Sequence, residues 1–257
     1  MSFLAIDVGN TQIVFGVLDE KEIYMSCRLE TDRHKTADEY AVIFRSLLAI
    51  HKVDADGIEG SILSCVAPSL RAVIQEAVIS LTGKRCMVVG PGLKNGLQIR
   101  IDNPAQLGSD QVAYAVAAVA EYPLPALVID MGTATTISVI GKSGAYQGGM
   151  IIPGLSISLD NMIARTSLLP HISLADGPKG LIGTNTNDCI VNGAIYGCAA
   201  MLDGLTERIA EELGEEPTVI ATGDPAARIV PFCRKNMIMD SDLLLKGLRL
   251  IYMRNAV

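Results

Sequence analysis

The sequence predicts an α/β protein made of two similarly built domains, and three observations carry that prediction. The phrase LAIDVGNTQIVFGVLD at residues 4–19 returns as LVIDMGTATTISVIG at residues 127–141. In each half, strand-like runs come first and helical spacing follows. The chain has 257 residues, 49% of them hydrophobic, enough for two modest cores.

The elements follow in order. Residues 4–8 and 13–18 read as two strands joined by Gly9, Asn10, Thr11 and Gln12, a connection built of turn residues. Residues 21–28 allow a third strand. Thr36 and Glu39 form a capping-box pattern, so a helix should run to about residue 49. Residues 60–66 are β-like and stop before Pro68, residues 70–81 have helical spacing, and 86–89 make another short strand. Ser109 suits the N-cap of an Ala/Val-rich helix over 110–120. After the repeated phrase come a strand at 145–152, a long helical pattern at 192–212 and a strand at 218–221. That strand leads into the turn Thr222, Gly223, Asp224, Pro225, and a helix at 242–254 closes the chain. The expected domains are 1–118 and 119–257.

Composition narrows the function. The net charge is −7 and no basic block stands out, which argues against a nucleic-acid surface. Cys27, Cys65, Cys86, Cys189, Cys198 and Cys233 form no C-x-x-C pair and read as small hydrophobes in a reducing cytoplasm. His34, His51 and His171 lack metal-ligand spacing. The apolar stretch at 112–120 is too short to span a bilayer, and no other uninterrupted run is long enough, so no membrane partner is expected.

A strand ending Asp-x-Gly places one carboxylate at a turn. Gly9 and Gly132 allow close backbone approach, and Asn10, Thr11, Thr133, Thr135 and Thr136 add amide and hydroxyl groups. Backbone N–H groups in such a turn suit a phosphate, while the Asp suits a cation or its water. Turn chemistry alone explains one copy. It does not require a second copy with matching Asp and flanking apolar residues, so the pair reads as a two-sided clamp for a polyphosphate. A Walker phosphate loop and a dinucleotide fingerprint are both absent from the sequence.

The segments DVGNT, DNPAQLGSDQ, DMGTATT, YQGGMIIPGL, GTNTNDCIVNGAIYG and ATGD occur in this order over nearly the whole chain. In this the sequence resembles the type III pantothenate kinases, of the superfamily that holds acetate and sugar kinases, heat-shock chaperone ATPases and actin. The resemblance implies two ribonuclease-H-like domains with a nucleotide cleft between them. It implies ATP-dependent phosphorylation of pantothenate, the first committed step towards coenzyme A, with Mg²⁺ and a monovalent cation (K⁺ or NH₄⁺), in a cytoplasmic homodimer. By the same resemblance Asp7, Val8, Gly9, Asn10, Thr11, Gln12, Ile13 and Val14 match the first phosphate-binding segment. Thr133, Thr222 and Gly223 match nucleotide contacts, and Asp130 the monovalent-cation ligand. Gly108, Ser109 and Asp110 match the substrate loop, with Asp110 as proton acceptor. Gly148, Gly149 and Pro153 match a loop near the substrate, and Thr186 a substrate contact.

A carboxylate within hydrogen-bond reach can accept the proton of an attacking hydroxyl, and at a helix N-terminus the dipole should keep Asp110 ionised. Three positions depart from the family pattern. Gln111 stands where the family has Arg, Ile101 where it has Tyr, and Asp224 with Pro225 where the nucleotide turn has a second Gly. Two readings stay open: a kinase of pantothenate or a related small alcohol, and a weakly active or non-catalytic protein that keeps the clamp for a different ligand or a regulatory role. Asp7, Asp110, Asp130 and Thr133 favour the kinase; Ile101 and Gln111 favour the other.

Overall fold

The computed structural model describes residues 2–256. The chain divides into two units. Unit 1 takes in the residues up to Leu97, Asp102–Ala120 and the segment from Asp242 onwards; unit 2 comprises Gln98–Ile101 and Glu121–Ser241.

In unit 1, β1 (Ser2–Val8), β2 (Gln12–Leu18) and β3 (Ile23–Glu30) form an antiparallel meander, and β4 (Ile58–Cys65) and β5 (Met87–Val88) extend it in parallel. The sheet order is β3-β2-β1-β4-β5. Side chains alternate across a strand. Leu4, Ile6 and Val8 therefore share one face with Ile13, Phe15, Leu63 and Cys65, and that face packs against α1 (Ala37–Ile50) and α2 (Arg71–Thr82). Phe15 stacks on Phe44 at 4.6 Å between ring centroids. Full burial of one such side chain contributes about 1.5–3 kcal/mol. The capping box at Thr36 forms as expected, with Thr36 Oγ1 accepting from Glu39 N–H and the Glu39 carboxylate accepting from Thr36 N–H.

The alternate residues Phe3, Ala5 and Asp7 point to the opposite face. There Phe3 stacks on Tyr252 of α7 (Leu243–Asn255) at 3.9 Å. A side chain at Gly247 of α7 would collide with the Ala113 carbonyl of α3 (Ser109–Glu121), so these two helices meet backbone to backbone. The closing helix was assigned by sequence to the second domain, 119–257. The structure corrects this: residues from Asp242 onwards belong with unit 1, because their apolar face packs under its sheet.

Unit 2 repeats the plan. Its strands β7 (Ala126–Met131), β8 (Ala134–Ile140) and β9 (Ala145–Pro153) form an antiparallel meander, and β10 (Thr218–Thr222) and β11 (Ile238–Met239) add on in parallel. The order is β11-β10-β7-β8-β9-β6, where the short β6 (Gln98–Ile99) pairs with β9 at the edge. Without β6 this is the order of unit 1, strand for strand. Leu127, Ile129, Met131, Ile137, Val219 and Ala221 face α5 (Thr186–Leu213), which answers with Val191, Ile195, Ala199, Leu202 and Ile209.

By length and composition α5 could cross a membrane, though its apolar residues are interrupted by Asn192 and Asp203 and form no uninterrupted run. Its apolar stripe is instead committed to the unit 2 core. It begins six residues before the expected start, capped by Asn185, whose Oδ1 accepts from Asp188 N–H at 2.9 Å. Helix α4 (Leu155–Ala164) and strands β6 and β11 were not expected. LSISL at the start of α4 alternates as a strand would, and two-residue strands carry no periodic signal. Helix α6 (Ala226–Ile229) is a single turn after β10.

Candidate active site

The first hairpin turn is closed tightly by its own backbone. Gly9 N–H donates to Gln12 O at 3.0 Å. A Cβ at position 9 would lie 2.9 Å from that oxygen, so glycine is required by close approach. The carbonyls of Gly9 and Thr11 both turn back onto Thr31, accepting from its hydroxyl and its N–H at 2.9 Å each. With these oxygens committed, the turn does not present them to a ligand. Arg33 Nη2 donates to Asn10 Oδ1 at 3.0 Å, bringing a positive charge to the same turn. Asn10, Thr11 and Gln12 are exposed, whereas Val8 and Ile13 send their side chains into the first core. Those two positions can serve a ligand through backbone atoms only.

Asp7, 7% exposed, lies at the end of β1, opposite Val14 on β2 and Ser64 on β4. Ser64 leads to the segment that opens α3. Its hydroxyl donates to Ser109 Oγ at 2.9 Å, and Cys65 N–H donates to the same oxygen at 3.0 Å. Ser109 was expected to cap α3; its oxygen serves β4 instead, because two donors at the strand end claim it. The helix is closed by Val112 N–H donating to Gly108 O at 3.0 Å.

Asp110 follows in the first turn of α3. Its Oδ1 accepts from Gln111 N–H at 2.8 Å. That oxygen occupies the place a side chain at Gly108 would take, so the glycine makes room for the carboxylate. Burial pushes the Asp110 carboxyl above its ordinary value, and the N–H groups of Gln111 and Asp110 itself pull it back in part. The dipole argument for a fully ionised Asp110 therefore meets an opposing desolvation cost that the sequence did not show. A raised carboxyl at a helix start is a stronger proton acceptor than a solvated one.

Unit 2 places Asp130 on β7, opposite Thr136 on β8 and Thr222 on β10. These side chains share the face turned away from α5, so one carboxylate is flanked by two hydroxyl-bearing residues. Such hard oxygen groups suit a hard cation. Among the described residues, no three His, Cys, Asp or Glu side chains gather to hold a metal. Gly132 N–H donates to Ala134 O at 3.1 Å, and the exposed Thr133 sits at the tip of this turn. The turn is pressed from two sides. Gly154 N–H donates to Thr133 O at 3.2 Å, and a side chain at 154 would collide with the carbonyls of Gly132 and Thr133. Gly223 has φ +91°, and a side chain there would collide with Met131 O.

Thr31, Arg33, Ser64 and Gly154 were missed by sequence reasoning. The last lies inside the quoted YQGGMIIPGL segment, but nothing in the sequence ties the other three to the turns they brace. Gly148 (φ +140°), Gly149 and Pro153 lie on β9, Ile101 follows β6, and Thr186 opens α5 as an exposed residue, all within unit 2. Gly108, Ser109, Asp110 and Gln111 lie together in unit 1.

A cavity of about 470 Å³ in unit 2 is lined by Ile152, Pro153, Leu159, Met162, Ala194 and Met201, among others. It carries no carboxylate or imidazole. Of the expected site residues, Pro153 alone borders it. The chemistry-bearing groups lie at the hairpins and the α3 start instead.

A family model described as type III pantothenate kinase matches residues 3–208. The type III pantothenate kinase of Moorella thermoacetica is 41% identical over 253 residues, covering 98% of this chain and 99% of that protein. The protein of the same name from Halalkalibacterium halodurans is 41% identical over 253 residues, with 98% and 99% covered. Among solved structures, the activator of the 2-hydroxyisocaproyl-CoA dehydratase from Clostridium difficile with bound ADPNP matches with a TM-score of 0.59. It is 11% identical and covers 100% of this chain and 95% of its own. MreB 5 of Spiroplasma citri bound to AMPPNP gives 0.58 at 10% identity, with 99% and 96% covered. At such identities these structures speak for the fold alone, and it is the α/β fold of two ribonuclease-H-like domains expected from the sequence.

Proposed function

Since the chain belongs to the type III pantothenate kinase family, we propose that it transfers the γ-phosphoryl group of ATP to the hydroxyl of pantothenate, giving 4′-phosphopantothenate and ADP. The observation that carries this reading is the carboxylate of Asp110, half-buried at the start of α3 and coupled through Ser109 and Ser64 to the strand beside Asp7. Phosphoryl transfer asks the protein for positioning and charge neutralisation rather than covalent chemistry. Asp110 accepts the proton of the attacking hydroxyl as its oxygen bonds to the γ-phosphorus and the bond to ADP breaks. The Asp7–Val14 turn binds phosphate through its backbone N–H groups. Thr133, Thr222 and Gly223 serve the nucleotide, and Gly108, Ser109, Gln111, Ile101 and Thr186 serve pantothenate.

Asp130 with its neighbouring hydroxyls fits a monovalent cation such as K⁺ or NH₄⁺, which would supply positive charge near the phosphates; Mg²⁺ would arrive with ATP. Resemblance to the family supports a homodimer working in the cytoplasm.

A coupled assay of ADP release tests the reading. Release should require pantothenate and exceed that with other small alcohols. Gln111→Arg should lower KM for pantothenate about ten-fold or more, since Arg offers a fixed charge to the substrate carboxylate. ADP release indifferent to pantothenate would overturn the substrate assignment.

A further inference from the structure

We propose that Ser64 is a positioning residue for phosphoryl transfer, which fixes the direction in which Ser109 donates its proton. The inference rests on the kinase reading above. A serine hydroxyl has one proton to give and two lone pairs to receive with. Ser109 Oγ receives from Cys65 N–H at 3.0 Å, and this donor is fixed by the backbone. Ser64 is fully buried, and its hydroxyl lies 2.9 Å from Ser109 Oγ, its side-chain partner among the described residues. The Ser64 hydroxyl is the donor of this pair. With Ser64 as donor, the Ser64 hydroxyl and the Cys65 N–H are both engaged at Ser109 Oγ.

Both lone pairs of Ser109 are then filled. Its own proton must leave on the remaining side, where Ser109 keeps part of its surface open. That side belongs to the residue directly before Asp110. Ser109 thus becomes a donor of fixed direction beside the proton acceptor, suited to an oxygen of the substrate hydroxyl or of the transferring phosphoryl group. The same hydrogen bond ties α3 to β4, whose register sets Ser64 opposite Asp7. One buried hydroxyl therefore links the strand pair that carries the phosphate turn to the helix that carries the base.

The test is a double-mutant cycle on the full chain, with Ser64→Ala, Ser109→Ala and the double variant. The readouts are kcat, the KM values for pantothenate and ATP, ADP affinity by titration, and Tm. Ser64→Ala should lower kcat about ten-fold, with ADP affinity unchanged. Ser109→Ala should lower kcat at least as much, and the double variant should be no slower than Ser109→Ala. Ser64→Cys, which keeps a weak donor, should fall between wild type and Ser64→Ala, and it replaces Ser64→Ala in the cycle if that variant does not fold. Losses that multiply in the double variant, or a Ser64 effect confined to Tm, would overturn the inference and leave the kinase reading standing. A wild type that phosphorylates no alcohol overturns both.

Discussion

The two Asp-x-Gly hairpins share a phrase and a topology but differ in construction. In unit 1 Asp7 faces Val14, seven residues on; in unit 2 Asp130 faces Thr136, six residues on. The first turn is closed by Gly9 N–H to Gln12 O, and the second, one residue tighter, by Gly132 N–H to Ala134 O. The first is braced by side chains, Thr31 and Arg33. The second is pressed by backbone, with Gly154 and Gly223 close against the carbonyls of Met131, Gly132 and Thr133. The neighbours of the two carboxylates differ as well. Beside Asp7 stands Ser64, whose hydroxyl reaches Ser109 at the start of α3, whereas two threonines flank Asp130. A duplicated phrase therefore preserved the placement of a carboxylate while the surroundings diverged, one joined through Ser64 to Ser109 and one flanked by hydroxyls.

The largest effect should come from the feature unit 1 has and unit 2 lacks. Asp110→Asn should lower kcat by roughly 10²–10⁴-fold while ADP affinity holds. Its effect on stability has the opposite sign. Burial raises the Asp110 pKa in the folded state above its ordinary value, so the folded protein holds this proton more tightly than the unfolded chain. The contribution of the group to stability is full below the unfolded value and is lost as pH rises through the folded pKa. Asp110→Asn should therefore raise Tm at pH 7, and the gain should vanish in acid; thermal melts across pH measure both. A Tm lower than wild type at neutral pH would show the carboxylate to be a net support.

The backbone bracing of the second hairpin comes next. Gly223→Ala combines a disfavoured φ with a collision against Met131 O and should cost about 2–5 kcal/mol by denaturant titration.

A finer contrast separates the two turn glycines themselves. A Cβ at Gly9 meets Gln12 O at 2.9 Å, but at Gly132 its nearest neighbour is Ala134 O at 3.5 Å. Gly9→Ala should cost about 1–3 kcal/mol and Gly132→Ala within about 1 kcal/mol. Equal costs would show that the two turns are not differently packed.

The smallest effect concerns the cation. Turnover should rise a few-fold, on the order expected for one weakly held ion near the phosphates, when K⁺ replaces Na⁺ at matched ionic strength. Asp130→Asn should abolish that response and Asp7→Asn should not. A response that survives in Asp130→Asn would place the cation elsewhere.

Much of this was legible in the chain. The repeated phrase marked both hairpins because strands at a sheet centre need apolar alternation and turns need glycine, and both requirements are written locally. The capping box at Thr36 was legible for the same reason. Helix α4 was not, since its alternating Ser and Ile residues favour a strand by local pattern. Nor was the role of Ser109. Its identity suggested a cap, and the two donors that claim its oxygen come from residues 44 and 45 positions away.

By itself the sequence determined where carboxylates meet turns, which faces are apolar and how many sheets the apolar runs can build. These depend on periods of two to four residues and on single turn residues. The tertiary structure alone decided that the last helix returns to unit 1, that Thr31 turns two carbonyls away from the first turn, and that Ser64 reaches Ser109. Each depends on contacts between residues far apart in the chain, fixed by strand register and by the helices that cover each face, and no local pattern encodes them.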